Sequence, residues 1–245
     1  MNALGLALVL LAAVLLFVLS RARRQGRPRF RVVPALARLH RAIGLSVEDG
    51  TRLLIGLGGT SLLTRNGGSA LAGLGLLHDV ARDTSVSDRP PVAVAGEASL
   101  ALLAQDVLQS GFREAGAVEF FQPSSGRLAG MTPFSAAAAT IPMLTDEHVS
   151  AAALIGHHGV EAALVADASE RSGIVLAGAA DDPAAQAALF ASASEALIGE
   201  EVFATSAYVG GRPAHVASLT VQDVLRWLII LGILLGAGLK VLGLV

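Results

Sequence analysis

Hydrophobic positions fall into three regimes along the chain. From Met1 to Ser20 no side chain is charged, and twenty helical residues rise about 30 Å, the thickness of a bilayer hydrocarbon core. From Trp227 to Val245 the run is apolar again, broken only by Lys240 near the C-terminus, whose ammonium can extend to the headgroups. Between these ends, short apolar runs close at glycine or a polar turn, and alanine- and leucine-rich stretches of helical spacing follow them.

The middle regime predicts six β–α units. The apolar runs are Arg52–Leu57, Pro91–Ala95, Val118–Phe121, Ala151–Ile155, Gly173–Ala177 and Ala196–Ile198. Helices are expected near 69–83, 99–115, 133–143, 160–169, 183–191 and 200–208, with a short amphipathic helix at 35–43 before the first strand. Runs that are apolar on both faces belong to strands covered on both faces, as in a parallel sheet. The reading is therefore an α/β fold: a doubly wound, mostly parallel, Rossmann-like sheet of about six strands. A (β/α)8 barrel would need eight units and about 250 residues. The expected organisation is a transmembrane helix at 1–20, a basic collar and linker at 21–45, the α/β domain at 46–212, a linker at 213–226 and a second transmembrane helix at 227–245.

Charge sets the topology. Arg21, Arg23, Arg24, Arg27, Arg29 and Arg31 follow the first apolar segment. A secretory signal carries its positive charge before the apolar run, so the segment reads as an uncleaved anchor. The positive-inside rule places the collar and the domain after it in the cytoplasm, with both termini outside a two-pass cell-membrane protein. Residues 42–222 hold 8 arginines against 19 carboxylates, a net of −11. That acidic body would be repelled by an anionic leaflet which attracts the collar. It also excludes nucleic acid as the expected partner, since phosphate contacts supply most of that affinity. The partners expected are the lipid bilayer and either further copies of the chain or another membrane protein. Gly232 and Gly236 form a G-x-x-x-G pair for close helix–helix packing. The absence of cysteine removes disulfides, thiolate metal sites and cysteine nucleophiles.

Ligands of doubly wound folds sit at the carboxyl ends of the strands. After the first strand come Gly58, Gly59 and Thr60, where backbone N–H groups can approach an anion at a helix N-terminus; a flexible turn is the plainer reading. The stretch has neither G-x-G-x-x-G nor a Walker G-K-[ST] spacing, so no cofactor is specified. Glu97 after the second strand is either a ligand acceptor or a charge favouring a helix N-terminus. Gly156, His157, His158 and Glu161 after the fourth strand form the most polar loop. Without H-E-x-x-H, and with the other histidines scattered, they predict no metal centre. Asp181-Asp182-Pro183 reads as a helix start. Glu200 and Glu201 are open to both structural and functional readings. If the order of strands reverses between the first and fourth, the loops at Gly58 and at Gly156 flank one crevice, suited to a small anionic or hydroxylated ligand. The function expected is a membrane-tethered ligand-binding or assembly domain. The alternative is an enzyme for a small polar or nucleotide-like substrate, which requires Glu97, Glu161 and Glu200 to converge with His157 or His158.

The two ends, together with Leu71-Ala-Gly-Leu74, Gly116, Leu197-Ile-Gly-Glu-Glu201, Ala207-Tyr208, Ser218-Leu219 and Gln222-Asp223 in that order, resemble the DUF6754 family. The resemblance implies a membrane-anchored bacterial protein, of the Chloroflexota type, over most of the chain, and it implies no activity. The histidines of Gly156-His-His-Gly159 are not part of that pattern, so the resemblance assigns them no metal role.

Overall fold

A computed structural model describes residues 3–22 and 33–242. The chain divides into two compact units, Arg31–Gly210 and the pairing of Met1–Phe30 with Gly211–Val245.

The larger unit is a six-stranded, all-parallel sheet. Its elements run α2 (Pro34–Glu48), β1 (Arg52–Gly58), α3 (Gly67–Asp83), β2 (Val92–Ala95), α4 (Ala98–Glu114), β3 (Gly126–Leu128), α5 (Pro133–Asp146), β4 (Val149–His157), α6 (Ala162–Arg171), β5 (Val175–Ala180), α7 (Pro183–Ser192), β6 (Glu195–Leu197) and α8 (Thr205–Val209). The sheet order is β3-β2-β1-β4-β5-β6. The direction of winding thus reverses between β1 and β4, the position where doubly wound sheets hold ligands.

Alternation within the strands builds two cores. Leu53, Ile55 and Leu57 of β1 and Ala151, Ala153 and Ile155 of β4 join Leu36, Leu39, Leu77 and Leu108 of α2, α3 and α4. Leu54, Ala152, Leu154 and Leu176 point the other way and join Ala137, Val165 and Leu189 of α5, α6 and α7. Because both faces are covered, the strands lack the polar alternation of a half-exposed sheet.

Three boundaries differ from the sequence reading. The run Val118–Phe121 is not the third strand: Val118–Phe120 is a single 3-10 turn, and β3 is Gly126–Leu128. The β propensity of Val118, Glu119, Phe120 and Phe121 is overridden because α4 ends at Glu114 and the chain turns at once through Gly116 at φ 73°. Phe121 then packs on Phe112, with ring centroids 6.1 Å apart. The segment Gln122–Ser125, expected to follow the third strand, precedes it instead. The amphipathic helix is longer than expected and is not a linker, since Leu36, Leu39 and Ile43 of α2 are buried in the core.

In the smaller unit, α1 (Ala3–Ala22) packs beside α9 (Pro213–Val241). Residues 213–226, read as a linker, are the first turns of α9, with Pro213 at its N-terminus. Among the described residues, α9 is the one helix long and apolar enough to cross a membrane, and none of its apolar window is buried. Gly5–Arg21 is a shorter apolar helix. The expected pair of spans is therefore reduced to one clear candidate. The arginines of the collar from Arg23 to Arg31 lie outside the described residues.

Candidate functional site

The tips of β2, β1 and β4 are knitted together by glycines. Gly58 is the register partner of His157. The Gly59 N–H donates to the His157 carbonyl at 3.1 Å, and the Gly96 N–H donates to the Gly58 carbonyl at 2.8 Å. Gly58 and Gly156 have φ of 78° and 146°, the region glycine tolerates without penalty. A Cβ on Gly156 would collide with the Leu57 carbonyl. A Cβ on Gly96 would approach the Gly59 Cα to 3.1 Å. The glycines therefore let neighbouring strand ends close on one another.

Beside these tips lies a cavity of about 170 Å³. Its walls come from β2 and β4 (Val94, Leu154), α5 (Ala136, Ala137, Thr140) and α6 (Ala162, Val165). Gly58, Gly59, Gly96 and Gly159 border it, and its polar end carries His157, His158 and Glu161. Ala137, Leu154 and Val165 belong to the core on that face of the sheet. The cavity is thus a pocket in the apolar layer with one polar end. A cavity of about 150 Å³ holds one benzene ring, so a group of that size fits within it.

Each polar group has a defined partner. His157 Nδ1 lies 2.7 Å from Asp181 Oδ1, and Asp181 Oδ2 accepts from Ser69 Oγ at 2.7 Å. The Asn66 side-chain amide lies 2.9 Å from the same His157 nitrogen. Asp181, at the end of β5, thereby orients an imidazole at the end of β4. The His158 Nε2–H donates to the Gly56 carbonyl at 3.3 Å. The protein packed around the His158 ring holds its pKa below the ordinary imidazole value, opposed only in part by that carbonyl and by Glu161. His158 is therefore neutral at neutral pH. Glu161 is 9% exposed at the start of α6, and its Oε1 accepts from the Gly159 N–H at 2.7 Å.

The remaining sequence candidates lie elsewhere. Thr60 is not in the cavity wall; its hydroxyl pairs with Thr64 at 2.7 Å and ties its own loop. Glu97 caps α4, accepting from the Leu100 N–H at 2.8 Å and from Ser99. Those bonds outweigh its slight desolvation and hold its carboxyl below the usual range. Glu200 and Glu201 sit in the 3-10 turn after β6 and do not border the cavity. The convergence of Glu97, Glu161 and Glu200 required by the enzymatic reading does not occur: Glu161 alone joins His157 and His158. Among the described residues, no heavy atom lies within 4 Å of a Cβ added at Gly232 or Gly236. Asp182 caps α7 through the Ala185 N–H at 3.0 Å, while Asp181 turns to His157, so the Asp-Asp pair is divided between two tasks.

Asn66, Ser69 and Asp181 were not identified as site residues from the sequence. In the sequence Asp181 reads first as part of a helix start, and its link to His157 depends on β4 and β5 being neighbours. Among the described residues, no group of three or more His, Asp or Glu side chains is placed to hold a metal ion. No curated protein and no solved structure matches the chain. One family model does, over residues 1–245, and the chain accordingly belongs to DUF6754, a domain of unknown function.

Proposed function

We propose that this protein is a membrane-tethered sensor or carrier domain that binds one small molecule in the cavity beside the β1 and β4 tips. The observation that carries the reading is the cavity itself: an apolar pocket with one polar end, at the point where the winding of the sheet reverses. The tether is α9, with α1 as a second span, and the arginine collar holds the α/β unit on the cytoplasmic side. Assembly through Gly232 and Gly236 of neighbouring copies is compatible with this reading, because a Cβ at either position meets nothing within 4 Å among the described residues.

The test is to fill the cavity. Ala136 borders it from α5, and Ala136→Phe would occupy the space of an aromatic ring. Full-length protein extracted from its native membrane should release a bound small molecule on denaturation, detected by mass spectrometry, and the variant should release none. Release of the same molecule in equal amount by a folded Ala136→Phe protein would refute the cavity as the site.

A further inference from the structure

We infer that the cavity selects a compact organic cation, a protonated amine on a small apolar body, with Glu161 as its counter-ion. This inference rests on the ligand-binding reading above and specifies the chemistry of the ligand.

The glycine loops were expected to offer backbone donors to an anion, but those donors are used within the protein. The Gly59 N–H serves the His157 carbonyl, the Gly96 N–H serves the Gly58 carbonyl, and the Gly159 N–H serves Glu161. An anion entering the polar end would face a carboxylate with these donors already committed.

Acceptors are what remain. Glu161 is nine-tenths buried and borders the cavity. Among the described residues, no arginine or lysine forms an ion pair with it, and its one hydrogen-bond donor is the Gly159 N–H on Oε1. A buried carboxylate is costly unless paired and hydrogen-bonded, and one backbone donor leaves Oε2 to be served. The adjacent imidazole does not supply the charge. His158 directs its Nε2–H to Gly56 and is held neutral by its surroundings, which leaves Nδ1 as a further acceptor.

The walls set the rest of the ligand. Val94, Leu154, Ala137 and Val165 favour an apolar body, and about 170 Å³ limits it to roughly one ring. The surrounding segment, residues 42–222, carries a net charge of −11, a field that raises the local concentration of cations.

Three probes with one body and different heads test this: benzylamine, benzyl alcohol and benzoate. Each is titrated calorimetrically into the full chain in nanodiscs at about pH 7.5, with Ala136→Phe nanodiscs as the blank for partitioning into lipid. Benzylammonium should bind at least about tenfold more tightly than benzyl alcohol, and benzoate more weakly than both. Glu161→Gln keeps an acceptor for Gly159 and removes the charge. It should lower benzylammonium affinity about tenfold and change that of benzyl alcohol less than about twofold. Equal affinities of amine and alcohol in the wild type, or benzoate binding most tightly, would overturn the cation inference while leaving the site intact. Heats indistinguishable from the Ala136→Phe blank for all three probes would overturn the ligand-binding reading as well. The wild-type comparison decides between heads even if Glu161→Gln does not fold.

Discussion

His158 shows how a single side chain can be polar in sequence and structural in the fold. Its ring donates to the Gly56 carbonyl, and the burial around it favours the neutral form against the pull of that carbonyl and of Glu161. Its folded pKa therefore lies below the unfolded value of about 6.5. The unfolded chain takes up a proton at a pH where the folded one does not, so stability falls with acidification. The His158 contribution is complete above about pH 6.5 and is lost as pH drops from there through the folded pKa. The urea midpoint of the full chain in detergent should decline across that window. His158→Gln retains a donor for Gly56 without titrating, so it should flatten that part of the profile. An unchanged slope in the variant would assign the decline to other groups.

At the scale of elements, the junction of β1 and β4 is the most constrained part of the sheet. Gly156 has φ 146° and its α-carbon faces the Leu57 carbonyl. The register also shifts between Gly56 and Gly58. A methyl group at Gly156 meets both an unfavourable dihedral and a backbone oxygen that cannot move without separating the strands. Gly156→Ala should therefore destabilise the domain by about 2–4 kcal/mol, measured by urea unfolding, and should weaken any ligand held at the strand tips. Gly116→Ala is a useful contrast. It has φ 73° but nothing among the described residues within 4 Å of its added Cβ, so its cost should be only the dihedral term of about 1–2 kcal/mol. Equal costs at the two positions would show that crowding at the β1–β4 junction contributes nothing.

For the whole molecule, the distribution of charge and apolar surface makes a topological prediction. α9 exposes apolar side chains along its apolar window, among them Ile233, Leu234 and Leu235, and none of that window is buried. On the proposed topology, with α1 as the second span and the arginine collar inside, a reporter fused after Val245 should read external. One inserted between Ser87 and Asp88, in the connection from α3 to β2, should read cytoplasmic. A cytoplasmic C-terminus together with a cytoplasmic 87–88 insertion would mean that α9, the one apolar helix between the two sites, does not span. The reverse pair of locations would overturn the positive-inside assignment.

Local sequence was sufficient wherever one physical signal dominated. Apolar runs such as Leu53-Leu54-Ile55 specified buried parallel strands, and Asp182-Pro183 specified a helix start, because burial on both faces and capping are written into consecutive residues. The same local logic failed at Val118–Phe121, where β-forming residues became a turn because α4 ended too close for a strand to pair. At residues 35–43 the amphipathic helix itself was legible, but its buried face could not reveal which core it would join. The candidate site was half legible. Gly58, Gly59, His157, His158 and Glu161 lie at strand ends and just after them, where the strand pattern alone placed them at one edge of the sheet. Only the tertiary structure showed that the Gly59 and Gly96 N–H groups serve neighbouring strands, that Asp181 and Ser69 hold His157, and that Glu97 caps its own helix. Those contacts join residues as far as 112 positions apart. A hydrogen bond between strand tips depends on which strands become neighbours, and no single strand carries that information.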